Sequence, residues 1–439
     1  MKTKRMMAAV LTSSLLLSMA AGCAKKEKKP KRTQKPSDNV QTTERPSNQT
    51  AIFELMNAQA QNPGSIDEEE LKKAYSQFVF GVMKQCLKAA HGKNVLISSD
   101  SILFALEMAA SGADGDTLNQ MLQTMMPGVE NEEGFQYAID RMKRLESNEL
   151  SIANSAWINK DLGGMVYDDY LSFVKKKFDA EIKSLKFDSS AVDTINNWVC
   201  EKTDGMIEKL IDDVESDSLL MLVNAITFDA KWADPFQDHS VTDDTFTTHD
   251  GSEQTVKFLH GGEDARYLHT DNMQGILKNY EGGKYAFMTI LPDDETVDIN
   301  EFMQDLSEDE YWEFWDSRTE SSDFQLIYKF PEFKTEYGTD LAPILYDMGM
   351  KDAFDPGKAN FSNMGDSQFY IGKVIHKTYI DVNRSGTRAA AATIIDVKCG
   401  AAMAPDEIRY VMCDRPFAYA IVDTSTGLPV FLGTVETVN

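Results

Sequence analysis

The sequence predicts an α+β domain, with helical patterns crowding its first half and strand patterns its second. Two observations carry this. Residues 68–90 place Leu71, Tyr75, Phe78, Val79, Val82, Met83 and Leu87 at helical spacing. Residues 218–228 form an almost unbroken apolar run, as a strand buried on both faces requires.

The remaining elements follow in chain order. A second helix is expected over 101–110. A third helical region spans 193–212, where Ile195, Trp198, Val199, Ile207 and Leu210 are apolar. His260 and His269 fall in a glycine-rich, polar stretch that reads as a surface turn. Strands are expected over 285–291, 325–333, 374–382, 417–422 and 430–435. No internal repeat and no second linker interrupts residues 65–439, so they read as one domain built from several packed layers.

The chain has 439 residues, with 44 Lys+Arg against 70 Asp+Glu and a formal net charge of −26. Phosphate-backbone binding needs clustered cations, so nucleic acid is not an expected partner. Apolar residues make up 42% and aromatics 10%, a normal globular core, which excludes wholesale disorder. Six histidines and five cysteines are too few for a disulfide framework and show no zinc-ribbon spacing.

The N-terminus reads as an address. Lys2, Lys4 and Arg5 precede an apolar run centred on Leu15, Leu16 and Leu17, which matches a secretory signal over residues 1–22. The run ends Ala20-Ala21-Gly22-Cys23 and resembles a bacterial lipobox, with Ala20 where leucine is commonest. That resemblance implies a lipidated Cys23 at the mature N-terminus, held at the outer membrane surface. An ordinary signal peptide with an incidental cysteine is the other reading. Residues 23–64 read as a polar linker, with Lys25 to Lys35 a cationic tether or a solvated spacer.

Signatures of catalysis are missing. The chain has no G-x-S-x-G, no H-E-x-x-H and no phosphate-binding loop motif, so no catalytic residue, metal or cofactor is expected. One segment is unusual. Residues 386–397 read G-T-R-A-A-A-A-T-I-I-D-V. The alanines allow a short helix. Strand alternation instead puts Thr387, Ala389, Ala391, Thr393, Ile395 and Val397 on one face and Arg388 on the other. Small side chains at the leading end would let such a strand slide between two others. The small residues 399–405 then suit an exposed loop.

Several motifs in order resemble the serpin family. Asn94 to Ile102 is similar to its N-x-x-x-S-P-x-S-I, with Ser99 in place of the proline. Gly112-Ala113-Asp114-Gly115 with Thr117, then Ile195-Asn196-x-Trp198-Val199 with Thr203-x-Gly205-x-Ile207, resemble its next two signatures. Leu222-Val223-Asn224-Ala225 with Phe228, Trp232 and Phe236 resembles a fourth, and Asp414-Arg415-Pro416-Phe417 its C-terminal one.

The resemblance implies helices around three β-sheets and an exposed C-terminal reactive-centre loop. It implies a serine-protease inhibitor that is cleaved as a suicide substrate, its loop then inserting into the main sheet. Gly386, Thr387, Arg388, Ala389, Ala390, Ala391, Ala392 and Thr393 match the hinge. Counting from Gly386 places the reactive bond at Gly400–Ala401; counting back from Pro416 places it a few residues later, which keeps Cys399, Ala402 and Met403 open as alternatives. Small residues there suit elastase-like or subtilisin-like proteases. Ser98, Ser101, Asn224 and His376 would form a polar cluster under the sheet opening, with Trp232 at the top. Arg384 and Arg388 stand where acidic residues are usual. The implied partners are a target protease, bound as a covalent acyl complex, and a membrane reached through Cys23. The chain is expected to act as a monomer. A non-inhibitory binding or carrier module is the alternative.

Overall fold

Helix α1 (Glu68–Ala90) has the bounds its periodicity predicts. Glu68, Glu69 and Glu70 fill its first turn, where negative charge complements unpaired N–H groups. The computed structural model describes residues 41–45, 67–90, 92–129, 131–162, 165–319, 324–388 and 407–438. The signal segment, Cys23, most of the linker, Ala389 to Thr393, Cys399, Gly400 and Ala401 lie outside the described residues.

The first half continues with β1 (Leu96–Ile97), α2 (Ser99–Ala110), α3 (Gly115–Met125), α4 (Asn131–Leu145), β2 (Leu150–Asn159), α5 (Asp168–Phe178), β3 (Glu181–Leu185) and α6 (Ser189–Lys202). Helix α6 is shorter than the 193–212 pattern predicts at its far end. Asp204 and Gly205 turn left-handed at φ 52° and 82°, and the Ile207 N–H donates to Thr203 Oγ1. Ile207 and Leu210 therefore pack back on α6 from a turn.

The second half holds β4 (Leu220–Phe228), β5 (Ala230–Lys231), β6 (Val241–Thr247), β7 (Glu253–Gly261), β8 (Arg266–His269), β9 (Met273–Asn279) and β10 (Tyr285–Pro292). Then come α7 (Ile299–Asp305), α8 (Glu308–Asp316), β11 (Gln325–Pro331), β12 (Phe333–Asp340), α9 (Ala342–Asp347), β13 (Ile375–Asn383), β14 (Gly386–Thr387), β15 (Ile408–Met412), β16 (Phe417–Asp423) and β17 (Pro429–Val435). His260 and His269 lie in strands β7 and β8, not in a turn, and Phe246, Phe258 and Leu259 bury the β6–β7 ladder against the core. The single strand expected over 325–333 is two strands in different sheets. Pro331 and Glu332 lie at the crossover between them.

One sheet runs β1-β17-β16-β10-β9-β8 and a second β15-β11-β7-β6. Two further ladders, β3-β2-β4 and β12-β13-β14-β5, share a chain, because β4 passes through Asp229 straight into β5. They form one surface, the third sheet, split down its middle. Strand β4 explains its own apolar run. Ile226 and Phe228 face the main core, while Val223 joins Trp157, Ile195, Trp198 and Val199 under α6, which lies across the outer face. Burial on both faces is incomplete, since Leu220, Met221 and Leu222 stay partly exposed beside the split.

Part of the expected linker is docked on the domain. The Thr43 N–H donates to Val166 O at 2.9 Å, and the Arg45 guanidinium, almost fully buried, meets Asp169 at 2.6 Å. The polar composition that reads as spacer is here satisfied by a hydrogen-bonded groove beside α5.

Candidate functional site: a split sheet with the hinge at its top

The lower part of the split is held by a polar relay. Helix α2 enters it because Ser98 caps the helix and Asp100 is locked behind it. The Arg141 guanidinium grips both oxygens of the buried Asp100 carboxylate, and Tyr75 donates to it at 2.8 Å. The Ser98 N–H donates to His376 Nε2 at 3.2 Å. The Ser98 hydroxyl oxygen accepts from the Ser101 N–H, and Ser101 Oγ donates to Asn224 Oδ1 at 2.5 Å. Asn224 donates onward to Asn154 Oδ1 at 2.8 Å, and Asn154 to Phe178 O at 2.7 Å. The relay thus ties α2 to β13 on one side of the split and to β4 and β2 on the other.

His376 is buried, and burial alone pushes its imidazole down to about 4. It is neutral at physiological pH, with Nε2 free to accept. Asn154 is the member that sequence reading missed. Its signal was its place in β2 directly opposite Asn224, a polar pair inside two apolar strands.

At the top of the split β14 is already a strand. Gly386 and Thr387 pair with Asn383 and Val382 of β13 and with Lys231 and Ala230 of β5. Gly386 is required by crowding, because a Cβ there would meet Ala230 O at 2.0 Å. Trp232 closes the corner. Its backbone N–H donates to Ser385 O and its indole N–H to Asn383 O at 2.8 Å. The ring stacks on Tyr280 at 4.5 Å, and the Tyr280 hydroxyl shares a 2.6 Å hydrogen bond with Thr387 Oγ1. Below β14 no strand pairing joins β4 to β13, both fully described, so the sheet is paired at its mouth and open beneath it.

The two reversed charges have partners. Arg384 bonds Glu332 through both its backbone N–H and its Nε, and reaches Asp238 at 3.1 Å. Arg388 ends the hinge strand. It turns left-handed at φ 58°, and its guanidinium donates to Thr203 O and to Asp204 O at 2.6 Å, at the turn after α6. Strand alternation puts Arg388 on the face opposite the small residues; in the described structure it follows β14 and is tied to the turn after α6. Cys413, which follows β15, is a buried free thiol pushed up to about 12 by burial. Among the described residues no helix is long and apolar enough to cross a membrane.

The fold thus combines a sheet split down its middle, a buried polar relay low in the split and the short strand β14 at its top. The model of the serpin family, serine protease inhibitors, matches residues 73–438, and the chain belongs to that family. Its relatives include an uncharacterized serpin-like protein of Thermococcus kodakarensis, 29% identical over 97% of each chain. Leukocyte elastase inhibitor of Bos taurus is 32% identical over 84% of this chain and 99% of its own. Among solved structures, the thermophilic serpin Tengpin in its native state aligns with a TM-score of 0.76 at 35% identity, covering 85% of this chain and 96% of that one. Tengpin in its latent state aligns at 0.74 and 34%, covering 86% of this chain and 100% of that one.

Proposed function

We propose that this serpin inhibits serine proteases as a suicide substrate. The observation that carries the reading is Gly386–Thr387 seated as a strand above an unpaired gap, ready to lead the loop downward. In the proposed reaction the protease serine Oγ attacks the carbonyl carbon of Gly400 and the bond to the Ala401 nitrogen breaks. The protease histidine gives the leaving amine its proton. The acylated segment from Arg388 onward then threads between β4 and β13, carrying the enzyme with it. Trp232 and Thr387 mark the entry, and Ser98, Ser101, Asn224 and His376 the relay that must part. The chain itself supplies no catalytic group.

Small residues around Gly400 and Ala401 favour proteases with a narrow primary pocket, elastase-like or subtilisin-like. The name of the bovine relative agrees with an elastase class of target. We further read residues 1–22 as a secretion signal and Cys23 as a lipid anchor at the outer cell surface, with the inhibitor acting as a monomer. Incubation with pancreatic elastase tests the proposal. A complex of summed mass that survives SDS, with a released fragment beginning at or within a few residues of Ala401, is the expected result. Complete cleavage with no complex favours the second reading, a non-inhibitory binding module, for which the tethered Arg388 is the specific observation.

A further inference from the structure

Away from the split sheet, three acidic or basic side chains converge that no motif connects. They are His249 in the turn between β6 and β7, Asp298 at the N-cap of α7, and Glu436 just beyond β17. One ligand atom from each lies within 4.8 Å of the others. His249 Nδ1 stands 2.9 Å from Asp298 Oδ2 and 3.3 Å from Glu436 Oε2. Two ligands held tetrahedrally about 2.0–2.1 Å from a zinc ion lie roughly 3.3 Å apart. The spacing therefore already has the scale of a coordination sphere.

Glu436 is the independent observation. Its side chain is fully buried, yet neither carboxylate oxygen has a hydrogen-bond partner. A buried carboxylate is costly unless paired or bound to a metal, and a half-exposed imidazole 3.3 Å away is a weak partner for it. The scaffold is rigid. The His249 N–H donates to Glu436 O at 3.1 Å, and the Glu436 N–H to Asn94 Oδ1 at 2.7 Å. Asp298 spends Oδ1 on the Glu301 N–H at 3.0 Å, which aims Oδ2 at the cluster. His249 and Asp298 are 41% and 26% exposed, so an ion has a way in and solvent can complete its shell.

We propose that His249, Asp298 and Glu436 form a divalent-cation site of zinc type. One nitrogen and two carboxylate oxygens suit zinc, whereas calcium and magnesium favour all-oxygen shells. The ion staples the C-terminal segment to the β6–β7 turn and to the start of α7, three points far apart in the chain.

The test is a zinc titration of the purified, untagged, chelator-stripped chain by calorimetry, with metal content read by mass spectrometry after gel filtration. The expected result is one tightly bound zinc per chain and no comparable uptake of magnesium. Glu436→Gln and His249→Gln should each weaken zinc binding at least about tenfold. His249→Gln alters an exposed turn, and Asp298→Asn keeps the capping oxygen, so folded variants remain if Glu436→Gln disturbs the core. No zinc uptake by the parent chain, or uptake unchanged in His249→Gln and Asp298→Asn, overturns the proposal.

Discussion

The Ser98 N–H and His376 Nε2, 3.2 Å apart, join the cap of α2 to strand β13 across the base of the split sheet. The bond requires a neutral imidazole, because a protonated ring has no acceptor to offer. Burial holds His376 down to about 4. Below the ordinary histidine value near 6.5 the unfolded chain takes a proton that the native state refuses, so this group's contribution to stability is lost as pH falls from about 6.5 to 4. The loss reaches on the order of 3 kcal/mol. Between pH 7.5 and pH 5 the urea midpoint of the parent chain should lose ground relative to that of His376→Gln, by the size of this loss. Equal slopes in the two proteins contradict this.

Glu107 predicts the opposite slope. Its carboxyl is fully buried, has no hydrogen-bond partner and is pushed up to about 8 by burial. Between its unfolded value near 4.5 and 8 the native state keeps a proton that the unfolded chain releases, so stability declines as pH rises through that window. The decline amounts to at most about 5 kcal/mol. Glu107→Gln should raise the urea midpoint at pH 8 and leave it nearly unchanged at pH 4.5. A lower midpoint at pH 8 would show that the carboxylate is paired in solution.

Gly386→Ala places a methyl group against Ala230 O and unseats β14. Overpacking of this kind costs about 1–3 kcal/mol. The expected outcome is a chain that folds, is cleaved in its loop, and gives little SDS-stable complex. Undiminished complex yield would mean that the hinge need not be pre-seated.

Arg388 restrains the same movement from the other end. Its contact with the exposed Asp204 carboxylate contributes little, but its bonds to Thr203 O and Asp204 O must break before the hinge strand can lengthen. Arg388→Ala should speed loop insertion about 3- to 10-fold and lower the number of inhibitor molecules consumed per protease inactivated. An unchanged or higher ratio contradicts the tether.

What the sequence disclosed and what it withheld divide along physical lines. Helix α1 and strand β10 were legible because their apolar patterns report burial directly. The crossover at Glu332 was not, since a Pro-Glu step between two buried phenylalanines does not say that Phe330 and Phe333 go to different sheets. Residues 94–102 and 222–232 announced part of the relay through motif resemblance alone. Asn154 carried no motif and became visible only when β2 was laid against β4. His249, Asp298 and Glu436 are scattered along the chain, and their meeting depends on the packing of a turn, a helix start and a strand end that no local pattern encodes. The bonds of Arg388 likewise follow from where the turn after α6 lies over the sheet.

The proposed inhibition rests on a sheet that is open below β14 and able to close on the loop. The direct measurement is the unfolding temperature of the chain before and after a single cut in residues 389–406. Closing the gap adds a strand's worth of hydrogen bonds, each contributing roughly 0.5–1.5 kcal/mol, and should raise the midpoint by more than about 10 °C. An identical midpoint for the intact and cut chains would contradict the account.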